Sequence, residues 1–182
     1  INPSGTVCRL CPTPQRGCRC GVSPPHMATT TAEATHADEP SGNWQAGVLG
    51  GIAGALAMGG LVLAMNAPTL AVAIPSLYGL APPNPGVGMV VHVSHGAVLG
   101  VVFAAVVGAI DVESPTKLVG FGIGWGVVTW IGLAALLMPV WLSVVGSPAS
   151  PPFPNFAVPS LLWHVVYGGV LGVVYVATED AV

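Results

Sequence analysis

Residues 92–103 read HVSHGAVLGVVF, and residues 164–175 read HVVYGGVLGVVY. Eight of the twelve positions are identical, at a constant offset of 72. Each copy opens on a histidine, His92 or His164, with glycines four and eight residues later. Both copies lie in long runs of Val, Leu, Ala and Gly, and such runs decide the fold. Between Trp44 and Ile110 there is no Asp, Glu, Lys or Arg, and none from Leu118 to Thr178. Only helices and closed barrels satisfy every backbone polar group in lipid. The runs lack the polar–apolar alternation of barrel strands, so they predict spanning helices.

The whole chain agrees. Hydrophobic residues make up 53% and charged residues 6% of it, against about 25% charged in an ordinary soluble domain. A span needs about 20 apolar residues. Four runs qualify, at roughly 44–65, 89–110, 118–138 and 160–177. Asn66 and Pro68 end the first, leaving TLAVAIPSLYGL (69–80), which reads as an interfacial, re-entrant or separate short helix. Pro139 ends the third. Proline-rich loops follow at 81–88 and 147–159, and a short charged loop, DVESPTK, fills 111–117.

Both halves thus have the same order: span, proline, short apolar segment, proline-rich loop, histidine-headed span. Met65 to His92 is 27 residues, and Met138 to His164 is 26. At an offset of 73, Gly47, Gly51 and Gly59 match Gly120, Gly124 and Gly132. The expected fold is an all-α membrane protein of four transmembrane helices in two parallel helical-hairpin repeats, 44–110 and 111–182. A pseudo-twofold along the membrane normal would relate them. Lys117 is the only basic residue near a membrane end, which places the termini on the cytoplasmic side of a multi-pass cell-membrane protein. Trp44 at one face, and Tyr78, Trp141 and Trp163 at the other, suit interfacial belts.

The N-terminal 43 residues read as a disordered tail. The first methionine is Met27, and all four cysteines (Cys8, Cys11, Cys18, Cys20) precede it. The preferred reading starts the native chain at Met27 and sets 1–26 aside as foreign upstream sequence; the rival is a four-thiolate metal knuckle. From Met27 on, one lysine faces seven acids, a formal net charge of −6. So few cations exclude nucleic acid as a partner. The lipid bilayer is the expected partner, with a second membrane protein or another copy beside it.

Small residues set the helix packing. Gly96 and Gly100 in the second run, and Gly168 and Gly172 in the fourth, follow the small-xxx-small spacing of close helix pairs. His92 and His164 fall on the same faces, four residues earlier. A twofold would bring them to one level. Three readings follow. The histidines could simply hydrogen-bond between helices. As a cofactor-binding pair, they could ligate haem b axially, the glycines leaving room for the porphyrin; as a metal site, His92, His95 and His164 could hold Cu or Zn. A transport path is the third, although the runs lack the acids and bases that mark ion coupling. No set of catalytic residues can be assembled, and GFGIGWG (120–126) lies in a spanning run rather than after a strand, so it is no phosphate cradle.

The acidic, lysine-poor tail, AIPSLYGL (73–80) and HVSHGAVLGVVFA (92–104) carry a resemblance to small, uncharacterised four-helix membrane proteins of halophilic archaea. It covers roughly 44–178 and implies the same fold. Some such proteins bear a histidine-kinase label, but no nucleotide-binding domain is present here. The expectation is a non-enzymatic membrane subunit or binding protein. The alternatives are a redox subunit using His92 and His164, or a small transporter or sensory component.

Overall fold

The computed structural model describes residues 42–110, 112 and 114–182. Expectations for the N-terminal segment, including Met27 and the four cysteines, lie outside the described residues. Asn43 does not belong to a disordered tail. It caps the first helix, its side-chain oxygen accepting from the N–H groups of Gln45 and Ala46 at 3.0 and 3.1 Å, as helix N-caps do.

Among the described residues all regular structure is helical. Four helices are long and apolar enough to cross a membrane: α1 (Trp44–Ser76), α2 (Pro85–Ile110), α3 (Pro115–Val144) and α4 (Val158–Thr178). They pack as a row folded on itself: α2 on α1, α1 on α4, α4 on α3, while α2 and α3 hardly meet.

Two of the expected breaks are continuous helix. Pro68 does not end α1, because Asn66 leaves helical geometry (φ −154°, ψ 63°) and kinks the chain so that it resumes beyond. Residues 69–80 are therefore no separate interfacial segment. Their first part is a wide turn, Thr69–Ala73, followed by the last turn of α1. In α3 a longer wide turn, Trp130–Leu137, leads through Pro139 to Val144. The hydrogen bonds that close these wide turns run over five residues, from Ile74 N–H to Thr69 O and from Met138 N–H to Leu133 O.

The loops explain why proline is tolerated. In a regular α-turn the carbonyl of Ala71 would be met by residue 75, and that of Ala135 by residue 139. Both are prolines without an N–H. Instead the N–H of Asn84 donates to Ala71 O at 2.7 Å, and that of Asn155 to Ala135 O at 2.9 Å. Both halves use the same device: a proline near the helix end, an unmet carbonyl four residues earlier, and a Pro-Asn step in the following loop that meets it.

Glycine sets the approach of the helices. On α1, Gly47 and Gly51 lie against the backbone of Gly100 and Gly96 of α2. One face round, Gly50 and Gly54 lie against Leu171 O and Tyr167 O of α4, where an added Cβ would sit 2.8 and 2.6 Å from those oxygens. α1 is thus the central helix, with one glycine stripe per neighbour. In α3 the contacts are made by Gly122 and Gly126, against Gly168 and His164 of α4. Gly120, Gly124 and Gly132, matched to the α1 stripe by the offset of 73, face open space. The stripes at 120/124 and 122/126 have the same spacing, and packing uses the second.

Candidate functional site

The weak α2–α3 contact leaves space inside the bundle. At the end near the termini, aromatic rings fill it: Phe103 of α2 packs on Phe121 and Trp125 of α3 and on Tyr175 of α4, with ring centroids 5.7, 6.3 and 5.5 Å away. Toward the proline-rich loops it stays open as a cavity of about 860 Å³. All four helices line it. The wide turn of α3 contributes Leu133, Ala134 and Leu137, and that of α1 contributes Thr69. Wide turns of this kind recur at functional sites in helical proteins.

All three sequence-predicted histidines line this one cavity. His92 sits on α2 with its Nε2 3.1 Å from the carbonyl oxygen of Ala55 on α1. A carbonyl can only accept, so Nε2 carries the proton. His164 on α4 turns its Nδ1 back to the carbonyl of Ser160, one turn earlier, at 2.7 Å, which leaves Nε2 as the acceptor. His95 Nε2 is hydrogen-bonded to the hydroxyl of Tyr78, 2.5 Å away, in the turn after α1. The histidines share the cavity wall without converging: among the described residues no three His, Cys, Asp or Glu gather closely enough to hold a metal ion. Gly100, Gly168 and Gly172 lie against helix backbone, and Gly96 lies against Ala55 and Gly51 while also lining the cavity.

Thr129 and Ser94 are satisfied within their own helices, whereas the buried indole N–H groups of Trp125 and Trp130 on α3 have no hydrogen-bond partner. Thr129 Oγ1 donates to Gly126 O at 3.0 Å and Ser94 Oγ to Val90 O at 2.8 Å. Trp141 Nε1 donates to Leu77 O at 3.0 Å and roofs the cavity by tying the end of α3 to the turn after α1. Trp163 is not an interfacial residue. It is 5% exposed and its indole N–H points to Met65 Sδ at 3.2 Å.

The repeated motif points to the histidines but not to the cavity they line, nor to Tyr167, whose hydroxyl bridges two helices. The offset of 72 aligned Tyr167 with His95. A polar group at a repeated motif position was the only signal available.

The chain belongs to a family of unknown function, DUF6789, whose model matches residues 42–181. No curated protein and no solved structure matches it.

Proposed function

We propose that this member of the family is a non-enzymatic membrane protein that binds a small, largely apolar molecule in the cavity between its helices. One observation carries the reading. A volume of about 860 Å³ is lined mostly by apolar side chains, with His92, His95, His164, Tyr78 and Thr69 among its polar groups. Ligand sites are typically apolar clefts of roughly 300–1,000 Å³ with a few placed polar groups. No acid or charged base lies in residues 44–110 or 118–178 to drive proton chemistry or bind an ion. The protein sits in the cell membrane, and the single Lys117 favours cytoplasmic termini.

Haem or metal ligation by His92 and His164 is the second reading. His164 Nε2 favours it, being a free lone pair on the cavity wall. His92 weighs against it, because its Nε2 would have to leave Ala55.

The test is mass spectrometry of small molecules extracted from protein purified in mild detergent, together with an absorption spectrum. A stoichiometric apolar compound, lost from an Ala134→Phe variant that fills the cavity, is the expected result. A Soret band removed by His164→Ala would transfer the assignment to haem. Protein that retains nothing, and takes up nothing from added lipid extract, would overturn the binding reading.

A further inference from the structure

The cavity has a floor, a roof and one open side. The floor is the Phe103 aromatic cluster, and the roof is Tyr78 with the Trp141–Leu77 bridge. Three sides are closed by tight helix pairs. The fourth is the gap between α2 and α3, where the lining residues Val98 and Leu137 are 62% and 55% exposed. Val98 lies mid-span and Leu137 toward the loop end of α3, both in runs without charge, so their exposed sides face hydrocarbon rather than water.

The imidazoles restrict what can bind. His164 gives its Nδ1–H to Ser160, and so presents an acceptor at Nε2. His92 gives its Nε2–H to Ala55 and turns its Cδ2 edge toward Gly59 on α1. Its Nδ1 edge is therefore on the side away from α1. A buried imidazolium with no counter-ion is costly, so both rings are neutral and both free nitrogens accept. The cavity thus sets two imidazole acceptors, beside the Tyr78–His95 pair, in an apolar slot, and no Lys or Arg in its lining would retain an anionic headgroup.

Resting on the binding reading above, we infer that the ligand is a neutral, hydroxyl-bearing amphiphile drawn sideways from the bilayer between α2 and α3, its hydroxyl donating to His164 Nε2. A carboxylate or phosphate head is disfavoured because no Lys or Arg lines the cavity to offset its desolvation, and an ionised head has no proton to give His164 Nε2.

Native mass spectrometry of the detergent-solubilised protein tests this, with hexadecan-1-ol, its methyl ether and hexadecane as probes. The alcohol should bind about five-fold more tightly than the ether, the worth of one hydrogen bond. His164→Leu should abolish that preference, so that alcohol and ether bind alike. Val98→Trp/Leu137→Trp, at two lipid-facing positions that the packing does not need, should slow loading of all three probes. Equal binding of alcohol and ether would overturn the hydroxyl assignment and leave the cavity reading intact. Binding of none of the three would overturn both. Undiminished loading of the portal variant would overturn lateral entry.

Discussion

The hydroxyl of Tyr167 on α4 donates to the carbonyl of Gly96 on α2 at 2.9 Å, its ring passing beside Gly54 of α1. Tyr167 is 3% exposed, and Gly54 on α1 leaves the gap its ring crosses. The bond joins the two histidine-bearing helices, which otherwise touch chiefly through α1. It holds the inner edge of the cavity while the outer edge, between α2 and α3, stays open.

Tyr167→Phe should therefore keep the packing and lose the tie. Hydrogen bonds between membrane helices are worth about 1 kcal/mol, rarely much more, and the ring still fills its site. The expected result is a loss of about 1 kcal/mol in reversible unfolding in bicelles. Exchange of amides in α2 near Gly96 should also be faster. An unchanged midpoint would show that the carbonyl finds another partner.

Glycines of equal spacing should respond oppositely. A Cβ on Gly51 would collide with the backbone of Gly96, and one on Gly122 with that of Gly168. Backbone cannot yield as a side-chain tip can, so Gly51→Ala and Gly122→Ala should each cost about 2–3 kcal/mol. Gly124→Ala meets nothing within 4 Å and should be neutral or stabilising by up to about 1 kcal/mol through helix propensity. Thermal unfolding of the three variants decides. A damaging Gly124→Ala would mean that this stripe, too, is covered.

That contrast shows how far the sequence can be read. The four spans were legible because an apolar run of about 20 residues has few other uses. Gly96, Gly100, Gly168 and Gly172 were legible as contacts because each helix carries one such stripe through the repeated motif. In α3 two stripes with identical spacing compete, and nothing local chooses between 120/124 and 122/126. Helix ends were misread for a similar reason. Pro68 and Pro139 look like stops, but the kink at Asn66 and the loop N–H of Asn155 supply what each proline disrupts. The cavity was illegible in principle, since it arises from two helices that fail to pack.

Glu179 gives a pH signature at the C-terminal end of α4. Partial burial, and then the neighbouring Asp180 charge, push its carboxyl above the usual 4.5. The helix C-terminus next to it also disfavours negative charge. The fold prefers the protonated form, so its contribution is present below the ordinary carboxylate pKa and is lost as pH rises through the raised one. Glu179→Gln should therefore be modestly more stable than the parent at pH 7 and indistinguishable from it at pH 3. Melting curves at the two pH values check this, and a gain at pH 3 alone would reverse the sign.

The proline–asparagine device separates backbone from side chain. At Asn155 the donor to Ala135 is the main-chain N–H, so Asn155→Ala should be close to neutral. Asn155→Pro removes the donor and leaves a carbonyl beside Pro139 unmet, at a cost of about 1–3 kcal/mol. At Asn84 the side chain works as well, accepting from Val87 N–H at 3.1 Å as the cap of α2. Asn84→Ala should then cost about 1 kcal/mol where Asn155→Ala costs little. Restoring an N–H at the proline is the complementary change. In Pro139→Ala the new N–H competes for Ala135 O, and the wide turn at 130–137 loses its reason to persist. Because Leu133, Ala134 and Leu137 of that turn line the cavity, Pro139→Ala should reduce ligand retention while raising helix stability. Parallel measurement of melting temperature and bound ligand tests it, and a rise in both would detach the turn from the site.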